Sequence, residues 1–158
     1  RSKVNLFLDS LIEATGDKDP ENQVLAIAIL KGLGPQAHKA VPRLITLMDD
    51  GNPKVRSAAV AAISSFTPPT PEILDALAKA VKNEDIRVRM TAIGSLRRFG
   101  YVYPDKVVGI LKTALDEEKD DQTRKALSSA LEKITPPPAK AAAPVPAQPA
   151  KQESKPHG

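Results

Sequence analysis

Four rows of residues recur along the chain with one stride, and this periodicity limits the fold more than any other feature. Leu33, Phe66, Phe99 and Ile134 are separated by 33, 33 and 35 positions, as are Leu30, Ile63, Leu96 and Leu131. Ala26, Ala59, Ala92 and Leu127 step identically, and Gln23, Arg56, Arg89 and Arg124 place a polar residue one turn before them. Inside each unit the rows fall at i, i+3, i+7 and i+10, which is one stripe of an α-helix and not the alternation of a strand. A self-similar unit of this length cannot bury both of its faces alone. Neighbouring units have to stack into a continuous, one-dimensional core.

We call the helices carrying these rows the B helices. A second stripe lies upstream of each: Leu8, Leu11 and Ile12; Val41, Leu44 and Leu47; Leu74, Leu77 and Val81; Val107, Leu111 and Leu115. These are the A helices. Pro20, Pro53 and the segment 83–85 precede B helices, and Pro42, Pro71 and Pro104 sit at the first turn of A helices, where proline costs no hydrogen bond. Gly34, Gly51 and Gly100 follow predicted helices, where a left-handed C-cap is expected. The small residues Ala28, Ala61, Gly94 and Ser129 form a further row, read as a point of close helix approach. With only five aromatic residues and no Trp, the core is aliphatic, which suits packed helices. The expected fold is an all-α, α–α superhelical solenoid of about four helical hairpins. They occupy roughly 3–34, 35–67, 68–100 and 101–134, in one folded unit spanning 1–134.

Two segments carry a family resemblance. The run from Leu33 to Ile45, Leu-Gly-Pro-Gln-Ala-His-Lys-Ala-Val-Pro-Arg-Leu-Ile, resembles the inter-repeat turn and A helix of HEAT repeats, especially the short bacterial type. The run from Asp49 to Ala59 is similar to the family's Asp-x-x-x-x-Val-Arg-x-x-Ala signature, and Val88-Arg89-Met90-Thr91-Ala92 repeats it. The resemblance covers residues 3 to 134. It implies that Arg56, Arg89 and Arg124 pair with turn aspartates in a structural ladder along the stack. It also implies recognition of another macromolecule and not catalysis.

The residue inventory points the same way. Without cysteine there is no disulfide scaffold, thiol nucleophile or thiolate metal site. Only His38 and His157 are present, and His38 reads as a surface residue in a turn, so no histidine pair at metal-ligand spacing exists. Acidic clusters at Asp17/Asp19/Glu21, Asp49/Asp50, Glu84/Asp85 and 116–121 fall in hairpin turns, where carboxylates favour the positive end of the next helix. The phosphate-cradling Gly-x-x-x-x-Gly-Lys-Ser/Thr pattern is absent, as are the His-Glu pairs of HEAT hydroxylases. A non-enzymatic chain with no cofactor is expected. No run of apolar residues is long enough to span a membrane, and the compartment is left open. The chain begins at Arg1, which reads as processing of a precursor or as a piece of a longer protein.

Residues 135–158 hold 7 of the 15 prolines and no apolar periodicity, so a disordered Pro/Ala/Lys-rich tail is expected. Of the basic excess of +4, the tail supplies half, since 1–134 hold 20 Lys+Arg against 18 Asp+Glu. Bulk charge therefore does not argue for nucleic acid. The expected function is a protein–protein interaction scaffold that holds a partner on the outward positions of stacked B helices. Those positions are Lys54, Ser57, Ser64, Met90, Arg97, Arg98, Lys125 and Glu132, with Tyr101 and Tyr103 as aromatic anchors at an edge. The alternative is a nucleic-acid-binding module using a basic strip around Arg87, Arg97 and Arg98, joined by Lys31, Lys54, Lys125 and Lys133. The last unit carries Ser128, Ser129, Glu132 and Lys133 and reads as a polar end cap. The first A helix presents Val4, Phe7, Leu8, Leu11 and Ile12, a broad apolar face that predicts an upstream repeat or self-association.

Overall fold

A computed structural model describes residues 3–134; the expected tail lies outside the described residues. The helices are α1 (Lys3–Ala14), α2 (Pro20–Leu33), α3 (Val41–Leu47), α4 (Pro53–Ile63), α5 (Pro71–Ala80), α6 (Ile86–Phe99), α7 (Pro104–Glu117) and α8 (Asp121–Ile134). A 3-10 helix, Gly34–Ala40, precedes α3, and the described residues contain no strand. Odd-numbered helices are the A helices and even-numbered ones the B helices. Each A helix packs on its own B helix, and the hairpins stack in chain order. The B helices touch one another more extensively than the A helices do, so they form the tighter, inner layer of a helical solenoid.

Two polar rows that share the repeat stride set where every B helix begins. Asp17, Asp50, Asn83 and Glu118 each accept the backbone N–H two residues ahead at 2.8–2.9 Å. Those receiving residues, Asp19, Asn52, Asp85 and Asp120, are the N-caps. Their side chains accept from the N–H groups of Glu21, Lys54, Arg87 and Thr123 at 2.8–2.9 Å. Each turn thus satisfies donors that a helix start leaves open, and apart from Glu118 it does so with short side chains that compete poorly for helix interiors.

The rows of the repeat form the core. Leu30, Ile63 and Leu96 are buried, with Phe66, Phe99, Ala26, Ala59, Ala92 and Leu127 beside them. The first unit departs from its sequence reading. Leu8 and Leu11 turn inward and are buried, whereas Val4, Leu6 and Phe7 are exposed. On the B side, Ile29 is 39% exposed while Ala62, its counterpart in the next unit, is fully buried. The exposed apolar end therefore keeps Val4 and Phe7 of the expected face, loses Leu8 and Leu11 to the core, and gains Leu6, Leu25 and Ile29, to which the periodic reading gave no part in it.

The second A helix spans its stripe but is shorter than the other A helices. Pro42 has no N–H to return to the carbonyl of His38, and Ala37 has non-helical φ/ψ (−95°, 18°), so the chain before Val41 tightens into the 3-10 form. His38 is consequently half-buried and packs its ring 5.3 Å from that of Phe66, which corrects the expected surface position.

The glycines also divide. Gly34 has a positive φ of +53°, but with ψ −131° it lies outside the left-handed helical cap expected there, and Gly100 is right-handed at φ −59°. What Gly100 supplies is room: a Cβ there would stand 2.7 Å from Cδ1 and Cγ1 of Ile134. The small row Ala28, Ala61, Gly94 and Ser129 is corrected too. A Cβ on Gly94 would meet nothing within 4 Å, so the row marks open space and not close helix approach. Gly94→Ala should therefore stabilise by about 0.5–1 kcal/mol through helix propensity. Gly100→Ala should cost about 1–3 kcal/mol through overpacking, a cost that disappears in an Ile134→Ala background. Urea melts of the four variants check both, and a destabilised Gly94→Ala would restore the close-approach reading.

Candidate functional site

The small row lines a groove along the B helices, in three hollows that follow one another. The first, about 350 Å³, is formed by Glu21, Val24, Leu25, Ala28 and Lys54. The central one, about 400 Å³, has Ala61 and Gly94 among its lining residues, with Ser64, Ser65, Met90, Thr91 and Ser95 and with Lys31, Arg97 and Arg98. The third, about 370 Å³ on α8, is formed by Asp121, Arg124, Lys125, Ser128, Ser129 and Glu132. Small side chains let the groove reach down toward the helix backbones.

The charged residues of the central hollow are all cations. Arg98 donates through Nη2 to the Ser64 carbonyl at 3.0 Å, which secures the C-terminal end of α4 and leaves the rest of the guanidinium outward. Ser65 makes the same type of bond one unit earlier, to the Lys31 carbonyl at 3.4 Å. Among the described residues, neither the Arg97 guanidinium nor the Lys31 ammonium has a hydrogen bond or ion pair. Ser64 is buried, which corrects its expected outward position: it donates to the Val60 carbonyl at 2.7 Å and accepts from Ser95.

Other arginines are occupied at the far ends of the B helices. Arg56 Nη1 donates to the carbonyls of Asp50 and Gly51 at 2.8 and 3.2 Å, and Nη2 reaches Asp85 at 3.4 Å. Arg89 Nη1 donates to Asn83 and Glu84 at 2.9 and 3.0 Å, and Nε donates to Thr123 Oγ1 at 3.1 Å. Arg124 holds the carbonyls of Leu115 and Glu118 at 2.9 and 2.7 Å, and Gln23 holds that of Thr15 at 3.0 Å. Arg87 is bound to Asp85 at 3.0 Å. That side-chain hydrogen bond, with the Arg87 N–H, holds the Asp85 carboxyl down to about 2, so it stays ionised in mild acid. Thr123 lowers Asp120 in the same way.

Of the arginines in the expected basic strip, Arg97 and Arg98 share the central hollow, whereas Arg87 is held apart on Asp85. Arg87 and Arg97 lie ten residues apart on α6, roughly 15 Å. Of the remaining candidates, Met90 is exposed in the central hollow, Lys54 pairs with Glu21 at 3.7 Å, and Lys125 and Glu132 both line the third hollow. Ser57 is half-buried and its Oγ has no partner in the described structure. Tyr101 and Tyr103 are exposed in the turn between α6 and α7 and line none of the three hollows.

Sequence and structure comparisons place this geometry. The profile of HEAT repeats matches residues 8–71 and again 68–132. The chain belongs to the HEAT-repeat family. No curated protein sequence matches it significantly. A designed armadillo repeat protein in complex with the peptide (KR)4 is similar in structure at 18% identity and TM-score 0.59, over 81% of this chain and 64% of that one. A computationally designed armadillo repeat protein for modular peptide recognition matches at 19% identity and TM-score 0.57, over 81% and 64%. An engineered protein matches at 22% identity and TM-score 0.55, over 80% and 62%. The HEAT array thus spans less than two thirds of each of these solenoids, and the likeness establishes a shared fold. Among its described residues no helix is long and apolar enough to cross a membrane.

Two features of this HEAT array escaped the sequence reading. Lys31 had been placed on a long strip and not at a hollow with Arg97 and Arg98, because the three converge only when α2, α4 and α6 stack. The groove floor was visible as a row of small residues, but smallness alone does not separate a contact from a void.

Proposed function

We propose that this HEAT array is a protein-binding scaffold whose partner lies along the inner face of α2, α4, α6 and α8. The observation that carries the reading is the central hollow, with its open floor at Ala61 and Gly94 and with cations whose charge the fold leaves uncompensated. Residues that merely stabilise a solenoid are paired, as Arg56 and Arg89 are. Unpaired cations over a preformed concavity suit recognition, because a rigid surface loses little entropy when it binds. Armadillo designs of this fold class that are built for peptide recognition support the reading by analogy.

The test is capture from extract with the full chain as bait, with and without nuclease treatment, run beside Gly94→Gln. That substitution projects a side chain into the hollow from a position where an added Cβ meets nothing within 4 Å. A protein retained by the parent chain and lost with Gly94→Gln supports the groove. Equal retention moves the site elsewhere, and recovery of nucleic acid alone favours the phosphate-binding alternative.

A further inference from the structure

We infer that the central hollow recognises an extended, acidic stretch of polypeptide, with carboxylates meeting Lys31, Arg97 and Arg98. The inference rests on the groove reading above and names the chemistry of its occupant.

Charge and shape both select this occupant. The charged residues facing the middle of the groove are Lys31 from α2 and Arg97 and Arg98 from α6, and no acid lines that hollow. Acids enter only at the ends, as Glu21 in the first hollow and Asp121 and Glu132 in the third, where cations accompany them. A ligand acidic at its centre and neutral or mixed at its ends complements this order. The floor of Ala61 and Gly94 lets a backbone lie close to the helices, and Met90 offers a flexible apolar contact.

Length follows from the stack. Three steps between B helices at 8–10 Å each span roughly 24–30 Å. An extended chain at about 3.3–3.6 Å per residue needs about eight residues for that distance. The acidic centre would occupy about four of them. An Arg guanidinium whose fork is uncommitted, as in Arg97, matches a carboxylate bidentately.

Nucleic acid fits less well. A polyphosphate carries charge along its whole length and would meet Glu21, Asp121 and Glu132 at both ends. No aromatic side chain lines the groove to stack a base, since Tyr101 and Tyr103 stand outside it.

The test is fluorescence anisotropy with the full chain and three labelled probes: an eight-residue peptide with four central glutamates and Gly/Ser ends, a (Lys-Arg)4 peptide, and a 12-nucleotide single strand. The expected result is binding of the acidic peptide alone, weakened by salt. In the double variant Lys31→Glu/Arg97→Glu its affinity should fall at least tenfold with the thermal melt unchanged. No binding of the acidic peptide, unaltered binding by the double variant, or preference for the oligonucleotide overturns the inference. A partner lost with Gly94→Gln while the acidic peptide fails to bind would leave the groove reading standing and remove only the acidic ligand.

Discussion

Replacing Phe66 with alanine is expected to lower the free energy of unfolding by about 3–5 kcal/mol. The ring is fully buried, in an interior unit where neither end of the stack offers room to relax. It follows the last turn of α4, with its N–H bonded to the Ile63 carbonyl at 3.2 Å, and it packs against the half-buried His38 ring. Truncation removes the transfer energy of the ring and leaves a cavity lined by atoms that the 3-10 segment holds in place. Phe66→Leu should cost less than half as much, because leucine fills the equivalent position, Leu33, in the first unit. Phe7→Ala is the control: that ring is 55% exposed, and its loss should fall within about 1 kcal/mol. Urea melts of the three variants measure the differences. Equal effects for Phe66→Ala and Phe7→Ala would mean that the row does not form the core.

The row containing Phe66 was legible because helical periodicity is imposed by burial, and burial is what a repeat has to conserve from one unit to the next within a chain. The arrangement of turns was half legible. Asp19, Asn52, Asp85 and Asp120 step with the core rows, yet they vary between Asp and Asn and sit among other acids, so they read as charge clusters and not as caps. The site was less legible still. Ser64 and Arg97 occupy equivalent places in successive units, and the helical wheel assigns both outward. Ser64 is buried because the next B helix lies over it, and Ser95 and Arg98 bond to it from that helix. Arg97 is longer and extends past the same interface into the groove. Side-chain length relative to the neighbouring helix decides which is a contact and which is a ligand-facing group. Periodicity carries no information about that distance. The first unit shows the same limit: Leu25 and Ile29 are exposed only because no B helix covers them, a fact about neighbours and not about their own helix.

Arg89→Ala is expected to cost about 3 kcal/mol, and its effect should concentrate in the fourth hairpin. The guanidinium closes the turn between α5 and α6 by donating to two carbonyls, and it bonds to Thr123 in the turn that starts α8. Its side chain is only 14% exposed, so the groups it leaves behind are poorly placed to find water. Asp120 stands 3.7 Å from it and Glu118 3.8 Å, which places two acids opposite an empty site once the cation is gone. Arg89→Lys should recover less than half of the loss, since one ammonium cannot span the two carbonyls and the Thr123 hydroxyl together. Arg124→Ala provides the contrast. Arg124 also holds two carbonyls, but it is exposed, and solvent can take over its bonds at a cost of about 1 kcal/mol or less. Because a solenoid is held unit to unit, the readout is both a melt and residue-resolved hydrogen exchange. Arg89→Ala should speed exchange in α7 and α8 well before α2 and α4 are affected. Acceleration confined to α5 and α6 would show that Arg89 supports its own turn and does not tie the third unit to the fourth.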